Sequence, residues 1–352
     1  MSEHRLPPLR WGIIGTGLIS SWFVEDLLIN RPNKVANHII QAIGGSSIKK
    51  AQAFSEKYPS SNNASVYGSY KDLYEDPNVD IVYIGTPHAL HKTNCLDAIR
   101  AGKHVLCEKA FTLNLTEAEE VIAEAKRQGV FLMEAMWTRF MPLVERLRQL
   151  LHQERVIGDI HRASCDFSLP MDLPSLPSTS RLKNPALGAG SLLDIGIYSL
   201  TWVILAMETD FGHERPQVLA SQVIRDEIDI ATTAILTYSH GKQGVATSSM
   251  STTTPSSFCR IEGAKGFVIV DGPAASVPQS FTVYVHNQDP VKYDFEAPGR
   301  GYYWEADAVA LDIAANKKEN SVMPWTETIR IMSLMDEIRC QGGAVFPIEE
   351  NV

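Results

Sequence analysis

From Leu9 to about Glu134, short apolar, β-branched runs alternate with longer stretches whose apolar residues recur at helical spacing. Parallel β-α-β units read this way, because their strands are buried on both faces and their crossover helices on one. The strands predicted are Arg10–Gly15, His38–Gly44, Ile81–Gly85, His104–Cys107 and Val130–Met133. The helices between them are Ile19–Asn30, Ile48–Tyr58, Thr93–Ala101 and Glu117–Gln128. The last opens Thr116-Glu117-Ala118-Glu119, where Thr at the N-cap and Glu three residues on can satisfy each other's free amides. Five strands with crossover helices predict an α/β chain that begins as a doubly wound parallel sheet.

The pattern changes after Pro142. A helix over Leu143–Gln153 precedes a Pro/Ser-rich stretch from Pro170 to Pro185 and an almost wholly apolar segment from Ser191 to Met207. From Gln217 to Phe295 the reading is mostly strands, among them Ala231–Tyr238, Gly244–Ser249, Phe267–Asp271 and Ser280–Val285. Helices near Tyr303–Ala315 and Glu327–Cys340 close the chain. This half is expected to be α+β with a large, mostly antiparallel open sheet. The domains expected are 1–142 and 143–352, with the C-terminal helix returning to pack on the first.

Composition narrows the function. The 352 residues are 44% hydrophobic and 21% charged, with 41 acidic against 32 basic side chains and a net charge of −9. A nucleic-acid partner calls for a basic patch to replace phosphate counterions, and no basic run exceeds a Lys-Lys pair, so none is expected. No apolar run is read as approaching the ~20 residues of a bilayer span, and Met1-Ser2-Glu3-His4-Arg5 does not open a signal peptide, so no membrane partner is expected. Cys95, Cys107, Cys165, Cys259 and Cys340 are scattered without C-x-x-C spacing. A reducing, cytoplasmic setting fits them, with neither a disulfide framework nor a thiolate metal site.

The first strand leads into Gly15-Thr16-Gly17-Leu18-Ile19-Ser20 directly before a helix. In a Rossmann-type unit the first glycine permits the tight turn, and the second lets backbone approach a pyrophosphate. The helix N-terminus at Gly17, Leu18 and Ile19 supplies free amides. An NAD site presents Asp or Glu at the end of the second strand to hold the ribose 2′-hydroxyl. No carboxylate occurs here between Asp26 and Glu56. Ser46, Ser47, Lys49 and Lys50 stand there instead, suited to a 2′-phosphate unless the lysines merely form a solvated helix face. NADP is predicted over NAD.

Within the apolar segment Ser191, Asp194, Tyr198 and Thr201 fall on one stripe of a 3.6-residue helix. Burying a carboxylate with a phenol costs several kcal/mol unless they are paired, so the stripe must face partners or a polar cavity. One reading is a satisfied core cluster. The other is a phenol made basic by a nearby cation, and Lys109, after the fourth strand, is a candidate for that cation.

These residues resemble a known family in order and spacing. The G-x-G, Thr86-Pro87-His88-Ala89-Leu90-His91, Glu108-Lys109-Ala110 and Asp194-Ile195-Gly196-Ile197-Tyr198 are similar to motifs of the glucose-fructose oxidoreductase/inositol dehydrogenase family. Met133-Glu134-Ala135-Met136-Trp137-Thr138-Arg139-Phe140, Glu108-Lys109-Ala110-Phe111-Thr112 and Trp304-Glu305-Ala306-Asp307 resemble its branch of dimeric dihydrodiol and fungal NADP-dependent xylose dehydrogenases. The resemblance runs from Trp11 to Pro347. It implies Lys109 and Tyr198 as the catalytic pair, with Asp194 assisting. Thr86, Pro87, His88, His91 and Glu108 would line the nicotinamide end of the NADP site, with Trp137 and Arg139 near its cleft. Ala110 replaces the family's usual proline and His88 its usual asparagine.

The implied reaction oxidises a sugar hemiacetal to a lactone. Trans-dihydrodiol oxidation and dicarbonyl or anhydrofructose reduction are alternatives on the same framework, and a non-catalytic NADP-binding regulator is a remote one. A small sugar or diol is the expected partner, and a homodimer through the open sheet face the expected assembly. His88 and His91 at i, i+3 suggest a metal, but no further ligand completes a site and none is expected.

Overall fold

The computed structural model describes residues 7–58 and 64–348, so the N-terminal pentapeptide read above lies outside the described residues. The chain divides into two compact units. The first takes residues up to Thr112, Thr116–Phe140 and Ala297–Trp325; the second takes Leu113–Leu115, Met141–Glu296 and Thr326 onward.

The first unit holds six parallel strands: β1 (Pro8–Ile14), β2 (Asn37–Gly44), β3 (Ser65–Tyr67), β4 (Ile81–Ile84), β5 (His104–Glu108) and β6 (Leu132–Ala135). Their order is β3-β2-β1-β4-β5-β6, which reverses between β1 and β4. In such sheets ligands bind outside the carboxyl ends of the strands at that switch point. Crossovers are α1 (Leu18–Leu27), α2 (Ile48–Ser55), α3 (Tyr70–Glu75), α4 (His91–Arg100) and α5 (Leu115–Gln128). The sheet was expected to have five strands. β3 and α3 are too short for periodicity to register, and β3 pairs with β2 over only three residues. Helix α5 starts one residue before Thr116, so the expected N-cap residue sits inside the helix; the Leu115 N–H donates to the Asp336 carboxylate at 2.8 Å.

The second unit opens with α6 (Pro142–Arg148), which runs into a π-turn at Gln149–Gln153. Its eight-stranded sheet comprises β7 (Ile160–Ser168), β8 (Gln217–Arg225), β9 (Ile228–Thr237), β10 (Gln243–Ser249), β11 (Ser257–Gly263), β12 (Gly266–Asp271), β13 (Ser280–Val285) and β14 (Val291–Asp294). The order is β14-β13-β12-β11-β7-β10-β9-β8, and only β7 with β10 is parallel. Helix α7 (Ile197–Met207) is buried along its whole length and packs on β7 and β10. Contrary to the sequence reading, Pro185–Met207 has the length and, over an 18-residue window, the mean hydropathy (1.5) of a membrane span, but that window is wholly buried. Its helix α7 is a core helix.

Residues 297–325 depart from the division at 142/143. They belong to the first unit because Asp26 of α1 accepts N–H bonds from Arg300, Gly301 and Tyr302 at 3.0, 2.6 and 2.9 Å, at the start of α8 (Tyr302–Ala314). Asp307 of α8 adds buried ion pairs to Arg31 and His38. The returning helix is therefore α8; α9 (Trp325–Gly342) groups, from Thr326, with the second unit.

Candidate functional site

The predicted residues of the first unit all lie at or after the C-terminal ends of strands. Gly15, after β1, has φ +82°, and a Cβ there would lie 2.6 Å from the Gly85 carbonyl oxygen, so both backbone angle and space demand glycine. Gly17 precedes α1 in extended conformation and caps it with no side chain; a Cβ would meet nothing within 4 Å. No acidic residue lies in the first turn. Open amides at a positive helix end, at Leu18 and Ile19, fit a dinucleotide pyrophosphate. Ser20, at the motif's third position, is fully buried, and its Oγ occupies the space that a Cβ on Gly85 would need. A small residue is needed there for α1 to approach the end of β4.

After β2, the Lys50 ammonium donates to Ser46 Oγ at 3.1 Å, and Ser47 Oγ accepts the Lys50 backbone N–H at 3.4 Å as the N-cap of α2. Two hydroxyls and an ammonium thus gather, all exposed, where an NAD site would carry a carboxylate.

After β4, Thr86 Oγ1 accepts from Asn94 at 2.9 Å, just beyond Gly85 and before Pro87. His91 is fully buried, with Nε2 2.8 Å from the Thr86 carbonyl and Nδ1 3.0 and 3.2 Å from those of Ala110 and Phe111. Its ring ties the loop after β4 to the loop after β5, and burial holds its pKa below the usual imidazole value. Both ring nitrogens face carbonyls, so neither is turned toward a metal; among the described residues no group of three His, Cys, Asp or Glu could hold one. The His88 ring stands edge-on to His91 at 5.6 Å. Glu108 accepts the Tyr83 hydroxyl at 2.6 Å in the interior, and burial beside this carboxylate drives the Tyr83 pKa well up. Lys109, next in the chain, is partly buried, and its peptide bond to Ala110 is cis. After β6, Trp137 stacks on Tyr302 of α8 at 4.3 Å, and Arg139 is buried. Several of these side chains, Glu108, His91 and Trp137 among them, hold the loops rather than project from them.

In the second unit the polar stripe departs from its expected geometry. Leu192–Gly196 forms a π-turn, and α7 begins only at Ile197, so the four residues are not on one α-helical line. Each finds its own surroundings. Ser191 Oγ donates to Asp229 at 2.8 Å and lies 3.1 Å from Ser248 Oγ. Asp194 accepts from Arg181 at 3.0 Å. The Tyr198 ring meets Phe167 of β7 edge-on at 5.6 Å. Thr201 Oγ1 is buried with no hydrogen-bond partner among the described residues.

Asp229 and Arg181 were missed from the sequence. Asp229, 2% exposed on β9, takes three hydrogen bonds on one oxygen, from Ser191 Oγ, the Leu192 N–H (2.7 Å) and Thr232 Oγ1 (3.0 Å), and so fixes the start of the π-turn. Gly190 (φ +147°) lets the chain pass, since a Cβ would collide with the Asp229 carboxylate. The available signal was a carboxylate between two isoleucines in a strand. Arg181 is one of two cations in the Pro/Ser-rich stretch, with Lys183, a weaker signal.

Comparison with known proteins agrees with this architecture. Residues 9–136 match the Gfo/Idh/MocA oxidoreductase family model, described as an NAD-binding Rossmann fold, and residues 144–269 match a Gfo/Idh/MocA C-terminal domain. A D-xylose 1-dehydrogenase (NADP(+)) of Hypocrea jecorina is 35% identical, with 96% of this chain and 93% of that protein covered. A trans-1,2-dihydrobenzene-1,2-diol dehydrogenase of Bos taurus is 33% identical over 97% and 99%. Among solved structures, the NADP complex of KijD10, a 3-ketoreductase from Actinomadura kijaniata, shares the fold at TM-score 0.76 and 23% identity, covering 95% of this chain and 98% of its own. The aldose-aldose oxidoreductase of Caulobacter crescentus does so at 0.79 and 23%, over 96% and 98%. With both of its domain models matched in order and full-length relatives above 30% identity, this chain belongs to the Gfo/Idh/MocA oxidoreductase family.

Proposed function

We propose that the protein is an NADP-dependent oxidoreductase that oxidises the anomeric hydroxyl of an aldose to the lactone. The observation that carries this reading is that Lys109, after β5, stands on the same sheet edge as the Gly15–Gly17 cradle, in a chain 35% identical to an NADP-dependent xylose dehydrogenase. Ser46, Ser47 and Lys50 would hold the 2′-phosphate, and the open amides of α1 the pyrophosphate. Bound NADP supplies the hydride acceptor. Tyr198 takes the hydroxyl proton on its phenolate oxygen, and the hydrogen on carbon 1 leaves as hydride. A phenol titrates near 10, so a cation must make it useful as a base at neutral pH; Lys109 fills that role and stabilises the developing alkoxide. Asp194, held by Arg181, orients the substrate.

The test is absorbance at 340 nm with NADP or NAD against D-xylose, D-glucose, L-arabinose and a trans-dihydrodiol. NADPH formation with an aldose is expected. Tyr198→Phe should lower turnover by about 100-fold or more while NADP binding stays nearly intact; equal turnover in that variant rejects the assignment. The 33% identity to a dihydrodiol dehydrogenase supports diol oxidation as the second reading.

A further inference from the structure

We infer that Arg181 is a specificity-determining residue that selects polyhydroxylated sugars over apolar diols, an inference that rests on the reading of Tyr198 as the base. The connection from β7 to the π-turn has little regular structure but is held at its start. The Leu169 and Met171 N–H groups donate to the carbonyls of Ser249 and Met250 at 2.9 and 2.8 Å, and Met171 and Leu173 pack against Ala189, Ile228, Ile230 and Met250. This anchoring places Arg181 beside Asp194. One guanidinium nitrogen donates to the carboxylate at 3.0 Å, while the Arg181 side chain stays 52% exposed and that of Asp194 11% exposed.

A guanidinium has five N–H donors in a fixed fork, and this hydrogen bond uses one. Asp194 lies four residues before Tyr198 in the chain, within the π-turn that leads into α7, so the acceptor, its donor fork and the phenol belong to one unit. A carboxylate beside a guanidinium matches vicinal hydroxyls, each of which can donate to the first and accept from the second. An aldopyranose carries such hydroxyls around the ring. A dihydrobenzene diol has only one pair; its remaining carbons would desolvate the guanidinium without replacing its hydrogen bonds, which is unfavourable.

The experiment compares the full chain with Arg181→Ala, Arg181→Gln and Arg181→Lys at saturating NADP, with D-xylose and trans-1,2-dihydrobenzene-1,2-diol as substrates. Loss of a charged hydrogen bond should raise KM for xylose about tenfold or more, with kcat less affected. Arg181→Lys should recover part of the loss, KM for NADP should hold, and KM for the diol should move by about threefold at most. Arg181→Gln keeps the donor-bearing stem and serves where Arg181→Ala is unstable. A xylose KM within twofold of wild type in the folded Ala and Gln variants, equal losses on both substrates, or wild-type activity on the diol alone would overturn the inference while leaving the dehydrogenase reading intact. No NADPH from either substrate in the wild type overturns that reading and this inference together.

Discussion

Glu208 terminates α7 with its side chain fully out of solvent, held by Arg330 at 2.7 Å. The same guanidinium binds Glu327 at 2.5 Å, so one cation serves two carboxylates. Burial raises the Glu208 pKa from 4.5 to about 7; Arg330 opposes the rise and Glu327 adds to it. Between these two values the native chain binds a proton that the unfolded chain has released, so stability must fall as pH climbs through the window. At 1.36 kcal/mol per pH unit the full separation is worth about 3 kcal/mol, present below pH 4.5 and lost above pH 7. Glu208→Gln keeps the shape and leaves Arg330 paired with Glu327, while removing the titration. Urea unfolding of both proteins from pH 4.5 to 8, followed by tryptophan fluorescence with Trp202 as a buried reporter in the same unit, isolates the effect. The stability of wild type minus that of the variant should decline by about 3 kcal/mol across the range. A difference that is constant with pH, or that grows toward alkaline pH, would refute the reasoning.

Lys50→Ala should raise KM for NADP about tenfold and leave KM for NAD nearly unchanged, because in the proposed site only a 2′-phosphate would draw on that ammonium; parallel titrations with the two cofactors check it. Asp229→Ala strips an acceptor from one amide and two hydroxyls in the interior and should destabilise the second unit by about 3 kcal/mol, read as a lower thermal midpoint. The expected homodimer would use the open sheet face, where Leu219 is 67% and Val223 54% exposed on β8. Leu219→Lys should then halve the mass seen in sedimentation equilibrium, and an unchanged mass would remove that face from the interface.

The legible parts of the fold were those whose burial repeats. β4 is buried at all four positions, and α5 carries Val121, Ile122 and Ala125 toward the interior. β7, central in its sheet, escaped notice because its inward residues include Ala163 and Cys165, too small to mark an alternation against His161, Arg162 and Asp166. The phosphate loop was readable because glycine and helix amides act locally. Arg181 and Asp229 were not, because Asp194 lies 13 residues from Arg181, and Leu192 and Ser191 lie 37 and 38 residues from Asp229, so only folding brings them together. The π-turn is likewise silent in sequence, since one hydrogen bond of longer reach leaves the composition unchanged.

The return of residues 297–325 to the first unit has a consequence for how the protein is made. A nascent chain that ends near Pro142 has translated the whole nucleotide-binding sheet but none of α8. Asp26, whose pKa burial already raises, then lacks the three N–H groups that hold it, and Arg31 and His38 lack Asp307. Completion must wait while residues 141–296 are synthesised, roughly ten to thirty seconds at ribosomal rates. The N-terminal unit is therefore incomplete when its own sheet has been translated, and it waits for the stretch through Trp325. Exchange of cofactor domains between relatives must carry both stretches of chain, since a contiguous N-terminal cassette would arrive without the helix that closes it.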